Sequence, residues 1–182
     1  QAHPELFTKS KPQLLFRDWK DVPNAVTLAD GHILITDELL KLLDDDDEAY
    51  AVLLHELGHA HDNHVMHSVV RASLLSVGVA VVVGDASSVA NTAVSAGTLA
   101  ANMSYSREME IAADAFAAEQ LNAEHIGVAP FIRSFEKLAD VHEHKTPSAE
   151  ENKQPSFFDW FASHPNTEER IQRLRQFEQI TP

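Results

Sequence analysis

The stretch Leu53-Leu54-His55-Glu56-Leu57-Gly58-His59 decides the reading of this chain. It spells H-E-x-x-H. On a helix, residues four apart are separated by about 400° of rotation, so His55 and His59 stand roughly 40° apart on one face. Two neutral imidazoles placed this way can grip one zinc ion. Glu56 lies about 100° round from His55, within reach of a water on that ion without being a ligand itself. Zinc lowers the pKa of such a water to about 7, and a carboxylate beside it can take the remaining proton. Five residues thus supply two ligands and a general base.

The flanks favour the metal over an ordinary exposed polar face, which is how a bare H-E-x-x-H arises by chance. Ala49, Tyr50, Val52, Leu53, Leu54 and Leu57 make the surrounding helix apolar and predict a core helix. Two histidines and a glutamate there are costly unless paired or metallated. Gly58 in a helix interior costs about 1 kcal/mol relative to Ala, which points to close approach of another backbone or a ligand. A metzincin motif is excluded, because its Gly position is Asp62 and its last His position is Val65. On a continuing helix His64 lies about 900° beyond His55, on the opposite side. His61 and His67 also point away, and all three read as solvated or capping histidines.

A third ligand is available downstream, in Tyr105-Ser106-Arg107-Glu108-Met109-Glu110-Ile111-Ala112-Ala113-Asp114. Glu110 and Asp114 are i, i+4 on a second, Ala-rich helix and share a face. That face can present Glu110 to the metal. Asp114, one turn on, can accept an N–H from a ligating imidazole and fix its tautomer. Glu108 reads as a solvated acidic residue.

Four runs in order, PNAVTLADGHILIT, HELGHAHDNH, YSREMEIAADAFA and SHPNTEERIQRL, resemble the zinc metallopeptidase family that contains the HtpX-type proteases and the CaaX prenyl endopeptidases. The resemblance spans roughly residues 22 to 175. It implies a gluzincin, with His55, His59 and Glu110 as zinc ligands, Glu56 as catalytic base and Asp114 as the carboxylate behind a ligand. It makes His164 the histidine of the family's Ser/Thr-His-Pro element. It also implies that the strand from Ala25 is a free edge at the rim of the site, where an extended peptide adds by strand pairing. Asn24, Ala25, Val26 and Thr27 then line the substrate, with Asn24 matching the family's Pro-Asn element.

Composition bounds the partners. The chain has 182 residues, 44% of them hydrophobic, which suits a single domain with a respectable core. Its net charge of −14 argues against nucleic acid, which needs a basic surface. There is no cysteine, so neither disulfides nor thiolate metal sites arise. That suits an oxidising compartment, and the expected location is the bacterial cell envelope or periplasm, soluble or peripherally membrane-associated. No signal peptide is visible at Gln1-Ala2-His3-Pro4.

Along the chain, residues 1 to 20 are polar with a short helix or strand around Leu14-Leu15-Phe16, where longer members of the resembled family carry an N-terminal helical segment. Ala25–Leu28 and Ile33–Thr36 flank Ala29-Asp30-Gly31-His32 and predict a hairpin. Asp37 is the expected cap of a helix over Glu38–Leu43. The acidic run Asp44–Glu48 suits the N-terminus of the metal helix, and the alternation and Gly of a calcium loop are missing. Between Ala72 and Ser106 the only charge is Asp85. Residues 72–103 read as a buried helical pair or a contact between subunits, with a re-entrant membrane hairpin as the alternative; no apolar run reaches the roughly 20 residues of a spanning helix. Phe131, Ile132, Phe135, Leu138 and Val141 predict an amphipathic helix over 130–142. Residues 142–156 read as a mobile loop. The aromatics at 157–161 read as core, with a substrate-pocket wall as the alternative. Thr167 is the expected cap of a last helix carrying Arg170 in its first turn and Ile171, Leu174 and Phe177.

These readings converge on one α+β peptidase domain over 1–182, mainly helical and zincin-like, with a small sheet edging the cleft. The expected function is zinc-dependent endoproteolysis of misfolded or envelope polypeptides, with one Zn2+ per chain and Glu56 as base. His164 either donates to the developing oxyanion through Nε2 or binds the metal and shuts the site. The rival functions are a latent zinc-binding chaperone or assembly factor closed by His164, and a membrane-associated prenyl-peptide protease.

Overall fold

The computed structural model describes residues 12–83, 105–145, 160–165 and 167–180. Three strands come first: β1 (Leu14–Arg17), β2 (Ala25–Thr27) and β3 (Ile33–Thr36). Helices follow: α1 (Asp37–Leu42), α2 (Asp46–His61), α3 (His64–Val83), α4 (Arg107–Ala123), α5 (Ala129–Lys145), α6 (Trp160–Ser163) and α7 (Thr167–Ile180). The fold is mainly helical with one small sheet, as the sequence predicts.

The sheet runs in the order β1-β3-β2. β2 and β3 form the expected antiparallel hairpin, with Val26 opposite Leu34. Gly31, at φ 83°, takes the left-handed turn position that the Asp-Gly pair signals. The register fixes which way β2 points its backbone. Thr36 N–H donates to Asn24 O, and Leu28 N–H donates to His32 O. Bonded pairs alternate in an antiparallel ladder, so Asn24, Val26 and Leu28 face β3 while Ala25 and Thr27 aim their N–H and C=O away from it. β2 is the last strand of the sheet among the described residues.

Of the helix or strand expected around Leu14-Leu15-Phe16, the strand is what forms. It is β1, parallel to β3 with Leu14 beside Ile33. Unpaired N–H and C=O groups on the far side of β3 give an extended segment a partner that a helix would not use.

α1 is capped by Thr36 rather than Asp37. Thr36 Oγ1 accepts from Leu39 N at 3.2 Å and from Asn24 N at 2.8 Å. The last strand residue, already extended, is placed to serve both helix and hairpin. The acidic run does cap α2, through Asp45 Oδ1 and the Asp47 N–H. It also does more. Glu48 is buried and held by Arg133 Nε at 2.9 Å and Lys137 Nζ at 2.7 Å, which dock α5 on the start of α2.

The core sits between α2, α4, α5 and α7. Leu39, Val52, Leu54, Leu121, Phe131 and Phe135 are buried together with Leu174. Gly58 has the reason expected of it. A Cβ there would lie 2.9 Å from Ala113 Cα, so α2 and α4 touch backbone to backbone.

Three further expectations are corrected. Residues 142–145 belong to α5, which continues to Lys145, and the rest of the loop expected over 142–156 lies outside the described residues. Thr167 is the first residue of α7 rather than its cap. The apolar run at 73–83 continues α3, and Leu74, Leu75 and Val77 are exposed, so these three are not buried as a packed helical pair would have them, while a contact between subunits stays open. The partner helix expected over 84–103 lies outside them. No helix among the described residues is long and apolar enough to cross a membrane.

Candidate metal centre

His55 and His59 project from the C-terminal half of α2, and both are buried. Their Nε2 atoms face each other at 3.1 Å. Glu110 comes from the first turn of α4, whose N-cap Ser106 accepts from Met109 N. Its Oε1 lies 3.5 Å from His59 Nε2 and its Oε2 3.6 Å from His55 Nε2. His164 follows α6 and turns its Nδ1 inward, 3.3 Å from His55 Nε2 and 3.1 Å from Glu110 Oε1. These four side chains offer donor atoms that all lie within 4.8 Å of one another, and all four are buried.

The other ring nitrogens are taken. His55 Nδ1 lies 3.1 Å from Asp114 Oδ1, and His59 Nδ1 lies 2.9 Å from His64 Nδ1. We assign the Nδ1 proton of each ligand histidine to these contacts, since a carboxylate accepts only and His64 has a lone pair to offer. Both Nε2 atoms then present lone pairs to each other, with Arg170 Nη2 also 3.3 Å from that of His55. No hydrogen bond can join them, whereas a cation between them satisfies both. Bonds of about 2.0–2.1 Å to a tetrahedral zinc put donors about 3.3–3.4 Å apart. The separations of 3.1 Å between the two Nε2 atoms and 3.3 Å from His55 Nε2 to His164 Nδ1 lie close to that edge length. Nitrogen and carboxylate donors in this number suit zinc.

Burial decides the charge state of the histidines. Burial first, then the Arg170 guanidinium and neighbouring imidazoles, hold His55 well below its ordinary pKa. Burial and then His55 and His164 do the same to His59. Both are therefore neutral, as ligands must be. His164 behaves differently. Burial would lower it too, but the Glu110 and Glu56 carboxylates outweigh burial and push it up to about 9.

Glu56 stands one residue round α2 from His55. Its Oε2 accepts from Thr27 Oγ1 at 2.7 Å. Its Oε1 lies 3.3 Å from His164 Nε2, yet neither atom has a well-aligned hydrogen bond. A buried carboxylate oxygen without an aligned donor beside a metal donor set is positioned to take a proton. Asn24 is buried just before β2, and its main chain is engaged by Thr36. Ala25, Val26 and Thr27 form the edge strand itself, with Ala25 and Thr27 packed inward.

The sequence reading misplaced His64 and gave no role at the site to Arg170 or Tyr105. His64 is not on the far side of the metal helix. α2 stops at His61 because Asn63 adopts φ 53°, and α3 leaves in a new direction that returns His64 to His59. Asn is one of the few side chains that tolerate this conformation, which was the available signal. His164 presents Nδ1 to the donor set rather than the expected Nε2. Arg170 is buried, donates to Asp114 Oδ2 at 2.8 Å and Oδ1 at 2.7 Å, and lies 2.5 Å from Glu110 Oε2. A cation in the first turn of a helix opposes the helix dipole, and that mismatch was the hint of acidic partners. Tyr105 stacks on His59 with ring centroids 3.7 Å apart. Burial, then Glu56 and Glu110, keep its phenol well above the usual range and so neutral. Trp160 is core, as expected, and stacks on His164 at 4.0 Å. Nothing in the local sequence marked either aromatic as a ligand's support.

Comparison with known proteins agrees with this geometry. The profile of peptidase family M48 matches residues 4–178. Metalloprotease LoiP of Escherichia coli (strain K12) is 32% identical over 160 residues, covering 86% of this chain and 58% of that protein. Metalloprotease YcaL of the same organism is 31% identical over 158 residues, covering 84% of this chain and 57% of that protein. The chain thus spans less than two thirds of the length of these relatives. A matched profile over nearly the whole chain, together with the buried donor set, makes the chain a member of peptidase family M48.

Proposed function

We propose that this chain is a zinc-dependent endopeptidase domain that hydrolyses peptide bonds in unfolded or misfolded polypeptides of the bacterial envelope. The observation that carries the reading is the placement of Glu56, whose Oε1 looks onto the buried set of His55, His59, Glu110 and His164. His55, His59 and Glu110 would hold the ion. Zinc supplies a Lewis acid for the scissile carbonyl and a water of pKa about 7. Glu56 takes the proton of the attacking water on Oε1 and passes it to the leaving amine. Asp114 holds the His55 tautomer, and His64 holds that of His59. Substrate docks as an extended strand against the outward N–H and C=O groups of Ala25 and Thr27. Such pairing reads backbone more than side chain, which suits unfolded chains of varied sequence. Absence of cysteine suits the oxidising envelope.

A second reading is favoured by one contact. His164 Nδ1 occupies a corner of the donor set, so the resting domain is latched, and a chaperone or assembly role of the closed form is compatible with it. Four protein donors around zinc leave no open position, as in structural zinc sites.

Turnover of unfolded casein separates the hydrolase from the closed form. The Glu56→Gln variant keeps its zinc and its fold and loses hydrolysis by 10²-fold or more, on the order of a lost general base. Equal rates for parent and variant would remove Glu56 from the mechanism.

A further inference from the structure

We propose that Thr27 is a positioning residue for Glu56, and that it couples the docking of a substrate strand on β2 to the placement of the general base. Thr27 lies on the terminal strand, and its side chain is buried. Its Oγ1 is 2.7 Å from the Glu56 carboxylate Oε2 and 2.7 Å from the Glu56 backbone carbonyl. The hydroxyl has one proton to give, so the carboxylate and the carbonyl compete for it or share it, and Oγ1 holds the carboxylate close to its own main chain. With Oε2 held, the carboxylate plane is set and Oε1 is left to face the donor set.

The backbone of the same residue does a different job. The pairs Asn24·Thr36 and Leu28·His32 are hydrogen-bonded across the hairpin, so the N–H and C=O of Thr27 aim away from β3. These are the groups an added strand would use. Thr27 thus reaches substrate through its main chain and Glu56 through its side chain.

Threonine is suited to link the two. Its β-branch makes χ1 stiff, so Oγ1 follows the backbone instead of swivelling independently. A shift of β2 on pairing moves the hydroxyl, and the hydroxyl carries the carboxylate with it. Valine keeps the shape and the β-branch but has no donor. Serine keeps the donor with a freer χ1. The inference rests on Glu56 acting as the base in peptide hydrolysis.

The test uses the zinc-loaded chain and an internally quenched peptide in extended form, with the parent, Thr27→Val, Thr27→Ser and Glu56→Gln side by side. Thr27→Val is expected to lower kcat by about tenfold or more, the scale of a misplaced reacting group. Its KM and zinc content should stay within about twofold of the parent, because the strand backbone and the ligands are untouched. Thr27→Ser should recover most of the lost kcat. If Thr27→Val does not fold, Thr27→Ala removes the same donor without a second methyl and carries the same expectation. A parental kcat in the hydroxyl-free variant overturns the inference. So does a loss that falls on KM alone, or one that serine fails to rescue. Should the parent be no faster than Glu56→Gln, the hydrolase reading itself fails and the coupling falls with it; a fast parent beside an unaffected Thr27→Val overturns the coupling alone.

Discussion

Arg170 grips Asp114 with two parallel hydrogen bonds, Nε to Oδ2 at 2.8 Å and Nη2 to Oδ1 at 2.7 Å, and both residues are buried. Asp114 in turn contacts His55 Nδ1, and Arg170 Nη1 reaches Glu110 Oε2. One guanidinium from α7 therefore braces both Glu110 and the carboxylate behind His55. Phe135 lies against its other side, 4.4 Å from the guanidinium carbon.

Removing this cation leaves two buried carboxylates without their partner. Breaking a buried pair in this way costs about 3–5 kcal/mol. Arg170→Met is expected to lose stability of that order in urea unfolding, together with zinc affinity. Arg170→Lys should not restore either, because a point charge cannot span Asp114 and Glu110 at once. Full recovery with lysine would show that charge alone matters.

Gly58→Ala should destabilise the domain although alanine is the better helix former. The propensity gain is about 1 kcal/mol. Against it stands a Cβ placed 2.9 Å from Ala113 Cα, which forces α2 and α4 apart. Overpacking costs about 1–3 kcal/mol. The same displacement separates His55 and His59 from Glu110, so zinc affinity should fall with the melting temperature. A variant that melts higher than the parent would mean that the helices yield freely.

His64→Ala is expected to weaken zinc binding by about 10–100-fold, the usual effect of removing a partner behind a ligand. His59 would lose the acceptor for its Nδ1–H. His64→Asn should recover much of this, since its side-chain oxygen sits near the place of Nδ1. Chelator competition reads both variants. An unchanged affinity in His64→Ala would make the 2.9 Å contact incidental.

His164→Ala is expected to raise basal hydrolysis and self-cleavage, because His164 Nδ1 takes a corner of the donor set in the resting structure. Gel assays of the purified chain follow the self-cleavage. A lower kcat with the same zinc affinity would instead assign His164 to the oxyanion.

Local chemistry made much of this protein legible. The i, i+4 pairs His55/His59 and Glu110/Asp114 share faces because helix geometry leaves no choice. The Asp-Gly turn determined the β2–β3 hairpin, and the spacing of Phe131, Phe135 and Leu138 determined the buried side of α5. Gly58 foretold a close backbone contact without saying whose. What only the tertiary structure decided is everything that depends on distance along the chain. A single positive φ at Asn63 sent α3 in a direction no periodicity could forecast, and so brought His64 to His59. β1 joined the sheet because β3 had an unpaired edge, a property of the assembled sheet and not of Leu14–Arg17. Arg170 pairs with Asp114 across 56 positions, and Thr27 meets Glu56 across 29, because burying charged and polar groups is tolerable only beside partners that folding itself delivers.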